Sequence, residues 1–179
     1  AIFLDCENLQ VKSIPVFSNH SFVIIHSGSI RKLSHSKYNE RKNETSKASE
    51  ILELPSLRHA TIDQLMKIED MIIKKRAKHI ISENDRVLKA VSCLEQDDAI
   101  SFGDLMNSSH QSMRDDYEIS SDELNQVVES ANKNGALGAR LTGAGFGGCV
   151  VILIKNEELK SISESILEEC SQAYLVTTI

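Results

Sequence analysis

The densest run of chemically suggestive residues in this chain is a glycine cluster. Gly143, Gly145, Gly147 and Gly148 fall within six positions, GAGFGG. Glycine admits positive φ and lets backbone approach other atoms closely, so such a run can present N–H groups to anionic oxygens. By letters alone it satisfies GxGxxG. That dinucleotide fingerprint needs a strand before it and a helix after it, so that the pyrophosphate meets the helix N-terminus. Here a helical stretch lies upstream and the strand-like CVVILI, residues 149–154, follows at once. The order rejects a Rossmann reading, and the lack of GK[ST] rejects a Walker loop. Two readings stay open on the residues alone: a tight turn entering a sheet, and a loop that backs a ligand.

Other polar residues have plainer readings. Tyr38 reads as an amphipathic tyrosine near a helix start, with a ring for an apolar face and a hydroxyl for a polar partner. Arg140 and Thr142 flank the glycine run and are expected to hydrogen-bond within it. His79, Glu83 and Arg86 have helical spacings and are expected to make intrahelical or packing contacts. Asp115 and Asp116 beside Arg114 read as a solvated charge run or helix-end contacts, and Cys149 as a small apolar residue leading a buried strand.

The elements that would carry these groups follow from periodicity. AIFLDC, VKSIPVF and SFVIIHSG are strand-like, with Asn, Ser and Pro at the turns, and Gly28 ends that region. Helix is predicted over 36–54, closed by Pro55, and again from Thr61, where Thr61 and Gln64 have capping-box spacing. An apolar stripe runs from Ile62 to Ile72 and resumes at Ile80 through Leu94. Further helices are predicted over 99–115 and from Ser120 or Ser121 to near Gly135. A last helix, capped by Asn156, carries Leu159, Ile162, Ile166 and Leu167 on one face. The final VTTI is expected to be an edge strand. Strands at both ends with helices between predict an α+β fold, a mainly antiparallel sheet with helices on one face.

Composition excludes several classes. A length of 179 residues and 41% hydrophobic content suit a packed core. A net charge of -6 argues against a nucleic-acid footprint. No apolar run approaches bilayer length, so no membrane partner is expected. The four cysteines, Cys6, Cys93, Cys149 and Cys170, are scattered and fit neither a zinc site nor a disulfide framework, and the expected compartment is the cytoplasm. The chain opens on the apolar AIFL and is expected to have been cut from something longer.

RLTGAGFGGCVV resembles the third signature of the GHMP kinases, and Phe146 and Cys149 make it more similar to the galactokinase branch than to the mevalonate branch. LDCENL, SGSIRKLSHSKYNERKNE, HIISENDRV and SFGDLMNSSHQSMRDDYEISSDELNQVV resemble galactokinase segments in the same order, so the resemblance covers nearly the whole chain. It departs at Lys78, where the family tends to carry Arg. The resemblance implies a ferredoxin-like C-terminal domain over 31–179, with the strands of 1–30 left from the preceding lobe or its junction. It implies ATP-dependent phosphorylation of galactose at the C1 hydroxyl. Tyr38 would touch the sugar, and Gly143, Ala144, Gly145 and Gly147 would support the nucleotide phosphates.

ATP and Mg²⁺ are the implied cofactors, with the Mg²⁺ ligands mostly in a missing N-terminal lobe that is also the implied partner. The family's catalytic Asp, N-terminal sugar signature and serine-rich phosphate loop are absent from these residues. They are expected upstream of Ala1, and the chain alone is expected to be inactive. The alternatives are a non-catalytic sugar- and nucleotide-binding regulator, a GHMP kinase for another substrate, and an α+β interaction module with structural glycines.

Overall fold

A computed structural model describes residues 1–29 and 34–179. The predicted division at residues 30–31 falls outside the described residues. β1 (Ile2–Leu4) and β2 (Val11–Ser13) pair only with each other, as a short antiparallel ribbon. β3 (His20–His26), though close to them in sequence, is an inner strand of a separate four-stranded sheet.

That sheet has the order β4-β5-β3-β6, formed with β4 (Gly138–Thr142), β5 (Cys149–Lys155) and β6 (Tyr174–Thr178). Every neighbouring pair is antiparallel. The connectivity is that of a ferredoxin-like split β-α-β. β3 and β5 are the inner strands, and each has an apolar, largely β-branched centre, FVII in β3 and VVILI in β5. β6 is the edge strand expected at VTTI, and all five of its residues are exposed.

α4 (Asp122–Lys133) and α5 (Leu159–Glu169) cover one face of the sheet. Leu124, Val127, Ile162 and Ile166 meet Val23, Ile25, Val150 and Ile152 there in the main core. α4 begins where Ser121 accepts the N–H of Leu124, the predicted cap. The predicted cap of the last helix is corrected. Asn156 sits in a short 3-10 turn before α5, and its side chain instead bonds Ser21 Oγ and Ser18 O across the sheet end.

α3 (Ala99–Asp115) departs from the expectation that helices occupy a single face. It lies along the outer edge of β4, and its Met106 and Phe102 pack with Phe22, Val151 and Leu153 from the opposite face. Gly103 and Gly138 allow this approach: a Cβ on Gly103 would lie 2.3 Å from Leu137 O, and one on Gly138 would lie 2.3 Å from Gly103 O. α3 then serves the backbone groups that β4 leaves unpaired. Asn107 Oδ1 accepts the Ala139 N–H, Asn107 Nδ2 donates to Leu137 O, and His110 Nδ1 accepts the Leu141 N–H.

α1 (Ser34–Ile51) and α2 (Met71–Glu95) stand beyond α3 with their own core of Ala48, Leu52, Leu65, Ile68, Ile73 and Ala77. α2 starts later than predicted. The Thr61–Gln64 capping box is present, but it opens a 3-10 turn over Ile62–Lys67. Ile68 is buried at the break, and Asp70 caps a new helix by accepting the N–H groups of Ile72 and Ile73. The apolar stripe runs through both pieces, so periodicity alone could not reveal the second start.

Candidate functional site around the glycine hairpin

The short segment before the glycines is strand β4, so GAGFGG joins two antiparallel strands as a hairpin loop. Its backbone is mostly left-handed: φ is +87° at Gly143, +77° at Gly145, +59° at Phe146, +113° at Gly147 and +96° at Gly148. The loop is held from two sides. Phe146 N–H donates to Ile119 O at 2.7 Å, in the link between α3 and α4. Ser27 N–H donates to Gly148 O at 2.8 Å, just past the end of β3.

The four loop residues singled out from the sequence divide into two pairs. Gly145 and Gly147 are buried, and a Cβ on Gly145 would lie 2.3 Å from Ile119 O, while one on Gly147 would lie 3.0 Å from Ser29 O. These two glycines are required by neighbouring backbone. Gly143 and Ala144 are exposed at the tip beside exposed Thr142, and neither donates its N–H to a main-chain carbonyl among the described residues. Small side chains there leave that stretch of backbone open to an incoming group.

Tyr38 lies in the first turns of α1 with its side chain exposed. Its neighbour Lys37 places Nζ 5.4 Å from the centre of the Phe146 ring, a cation–π contact that brings the start of α1 to the glycine loop. Phe146 is half-buried and packs on the main core. The first turns of α1, which carry Tyr38, thus meet the loop through Lys37.

Arg140 does not bond within the loop as expected. It leans away to Glu83 on α2, with Nη1 2.8 Å from Oε1. The same carboxylate accepts Ser109 Oγ–H at 2.6 Å and Arg86 Nε–H at 2.7 Å. Burial would raise the Glu83 pKa, but Arg140, Ser109 and Arg86 outweigh it and hold the group below its usual value. One negative and two positive charges line a 320 Å³ pocket between α2, α3 and the second face of the sheet. Only the Glu83–Arg86 pair was legible as helical spacing; the bridge to Arg140 joins residues far apart in sequence.

His79 lies against Tyr117, ring centres 4.5 Å apart, and its Nδ1 is 3.0 Å from Ser112 Oγ. Ser112 spends its single proton on Asp116, so it must accept from His79 Nδ1–H. Burial drives the His79 pKa down to about 4, keeping the ring neutral. Lys78 binds the same Asp116 at 3.0 Å. Arg114 and Asp115 form an exposed neighbour pair, as the charge-run reading expected.

Among the described residues, no three His, Cys, Asp or Glu side chains are grouped to hold a metal ion. No described helix is long and apolar enough to cross a membrane.

The split β-α-β sheet holds a left-handed glycine hairpin at its β4–β5 turn. The chain belongs to the GHMP kinase family, matching "GHMP kinases C terminal" over residues 73–172. It is 40% identical to a galactokinase of Clostridium perfringens over 186 aligned positions, covering 97% of this chain and 46% of that protein. A galactokinase of Fusobacterium nucleatum is likewise 40% identical, covering 93% of this chain and 46% of its own length. The chain therefore spans about half the length of the curated relatives it matches. The crystal structure of Lactococcus lactis galactokinase complexed with galactose superposes with a TM-score of 0.91 at 33% identity, over 97% of this chain and 49% of that one. L. major mevalonate kinase, at 20% identity and a TM-score of 0.64, shares the fold.

Proposed function

We propose that this chain is the C-terminal part of an ATP-dependent galactokinase, transferring the γ-phosphoryl group to the C1 hydroxyl of galactose. The observation that carries the reading is the contact of Lys37, the chain neighbour of Tyr38, with Phe146 of the glycine hairpin. Its support is the galactose-complexed relative that superposes along almost the whole chain.

In this reading Tyr38 offers its hydroxyl to a sugar oxygen and its ring to the sugar's apolar face. The open backbone at Gly143 and Ala144 faces the nucleotide phosphates, and Gly145 and Gly147 keep that backbone in shape. Mg²⁺, when bound with the nucleotide, would offset phosphate charge; the described residues hold no acidic cluster, and none of them is assigned to it. Proton removal from the sugar hydroxyl is assigned to no residue of this chain, which spans about half the length of its relatives. We draw the division between the lobes between β2 and β3, because β3 is an inner strand of the sheet. The four free cysteines suit a reducing compartment, the cytoplasm.

The test is steady-state phosphorylation of galactose by the full-length protein and by residues 1–179 alone. The full-length protein is expected to turn over and the isolated chain is not. Tyr38→Phe in the full-length protein is expected to raise the galactose KM about fivefold, the loss of one neutral hydrogen bond of about 1 kcal/mol. Turnover by the isolated chain, or an unchanged KM in the Tyr38 variant, would overturn the assignment.

A further inference from the structure

Four consecutive carbonyls, from Asp116 to Ile119, connect α1 and α2 to the glycine loop. Arg76 Nη1 donates to Asp116 O at 2.6 Å, Arg41 Nε donates to Tyr117 O at 2.7 Å, and Arg41 Nη2 reaches Glu118 O at 3.4 Å. The fourth carbonyl, that of Ile119, accepts the Phe146 N–H of the loop. Both guanidinium groups are buried, Arg41 at 8% and Arg76 at 3% relative exposure, so each must be fully satisfied. Two carboxylates balance them: Glu44 Oε2 accepts from Arg41 Nη1 and Arg76 Nε, both at 2.9 Å, and Glu118 Oε2 accepts from Arg76 Nη2 at 2.8 Å.

Lys37, over the Phe146 ring, is one described contact at the start of α1. Residues 36–40 are exposed, and the first buried apolar side chain of the helix is Ala48. Arg41 stands three positions after Tyr38, on the same side of the helix one turn along. Its planar fork reaches a carboxylate and two carbonyls at once, which a lysine's single nitrogen cannot do.

We propose that Arg41 is a positioning residue, held by Glu44 and Arg76, that sets Tyr38 against the glycine loop through the carbonyls of residues 117–119. The role in turnover rests on the functional reading above, in which Tyr38 meets the sugar and the loop meets the phosphates. The physical link does not depend on that reading.

The experiment uses the full-length protein with Arg41→Lys, Tyr38→Phe and the double variant. Arg41→Lys keeps the charge and is the variant expected to fold. It is expected to lower kcat about tenfold to a hundredfold, the penalty of a displacement near 1 Å, and to raise the galactose KM. The Tyr38→Phe effect on KM is expected to shrink in the Arg41→Lys background, because both changes act on one contact. Amide hydrogen exchange gives a separate readout: Phe146 is expected to exchange at least about tenfold faster in Arg41→Lys, while Val150, inside β5, is unchanged. A lowered melting temperature with kcat, KM and the Phe146-to-Val150 exchange ratio all retained would reduce Arg41 to a structural residue and overturn the proposal. KM effects that simply multiply would also overturn it. A wild-type protein that fails to phosphorylate galactose would count against the functional reading, and the exchange ratio would then decide the link by itself.

Discussion

Replacing Gly145 with alanine separates the two kinds of glycine in the loop. Its φ of +77° places an added Cβ in left-handed backbone, a cost of about 1 to 2 kcal/mol. That Cβ would also lie 2.3 Å from Ile119 O and 2.8 Å from Ile119 Cβ. The obstacle cannot yield easily: Ile119 is buried, its N–H is held by Met113 O, and Arg41 binds the two preceding carbonyls. The loop must move instead, breaking the Phe146 hydrogen bond and leaving a buried carbonyl unpaired, for a further 1 to 3 kcal/mol or about that. The expected loss of stability is about 2 to 5 kcal/mol, read as a shift of the urea midpoint at constant slope. Gly143→Ala, at the exposed tip with φ +87°, is expected to lose only about 1 to 2 kcal/mol while weakening nucleotide binding in the full-length protein. A Gly145→Ala protein within about 0.5 kcal/mol of wild type would refute the steric argument. Unaltered nucleotide binding by Gly143→Ala would remove the tip from the phosphate site.

Two further outcomes follow from buried groups. His110 accepts the Leu141 N–H at Nδ1 and donates Nε2–H to Asn125 Oδ1, and burial lowers its pKa from 6.5 to about 4. Its neutral form is therefore favoured in the folded state. The stability it contributes is complete above pH 6.5 and is lost as pH falls toward about 4, as it is for His79. At about 1.4 kcal/mol per pH unit, each histidine accounts for about 3 kcal/mol across that window. Urea unfolding at pH 7.5 and 4.5, with the imidazole resonances followed by NMR, checks this; either histidine titrating near 6.5 in the folded protein would contradict it. Gly103→Ala, which raises helix propensity in isolation, is expected to destabilise by about 2 to 4 kcal/mol, because α3 must back away from β4 and release Asn107 and His110. A more stable Gly103→Ala protein, measured the same way, would show that the contact relaxes.

Much of the frame was legible in local pattern. α3 lies over the predicted residues 99–115, and α4 starts at the Ser121 cap because cap and apolar spacing agree there. β4 was not legible as a strand: GARLT is short, lacks alternation and is completed by α3 side chains from more than thirty positions away. The glycine run was conspicuous, but its division into buried supports and an open tip depends on Ile119 and Ser29, which no local pattern places beside it. Arg41 and Arg76 carry no local mark that sets them apart from the other charges of their helices. Their burial arises only when residues 116–118 fold across them, and a single sequence carries no signal for that.

The topology of the sheet has a consequence for the chain during its synthesis. His26 of β3 lies opposite Cys149 of β5, about 120 residues later, so the first inner strand waits for most of the chain before it can pair. At ordinary translation speeds that wait is about 6 to 25 seconds. Throughout it Val23, Ile24 and Ile25 have no sheet to enter, and of the two helices that will cover them α4 is made only near its end and α5 after β5. Shielding of β3 in this interval falls to provisional contacts with α1, α2 and α3, which are made first. Its nascent form is most vulnerable to aggregation just before the glycine hairpin emerges.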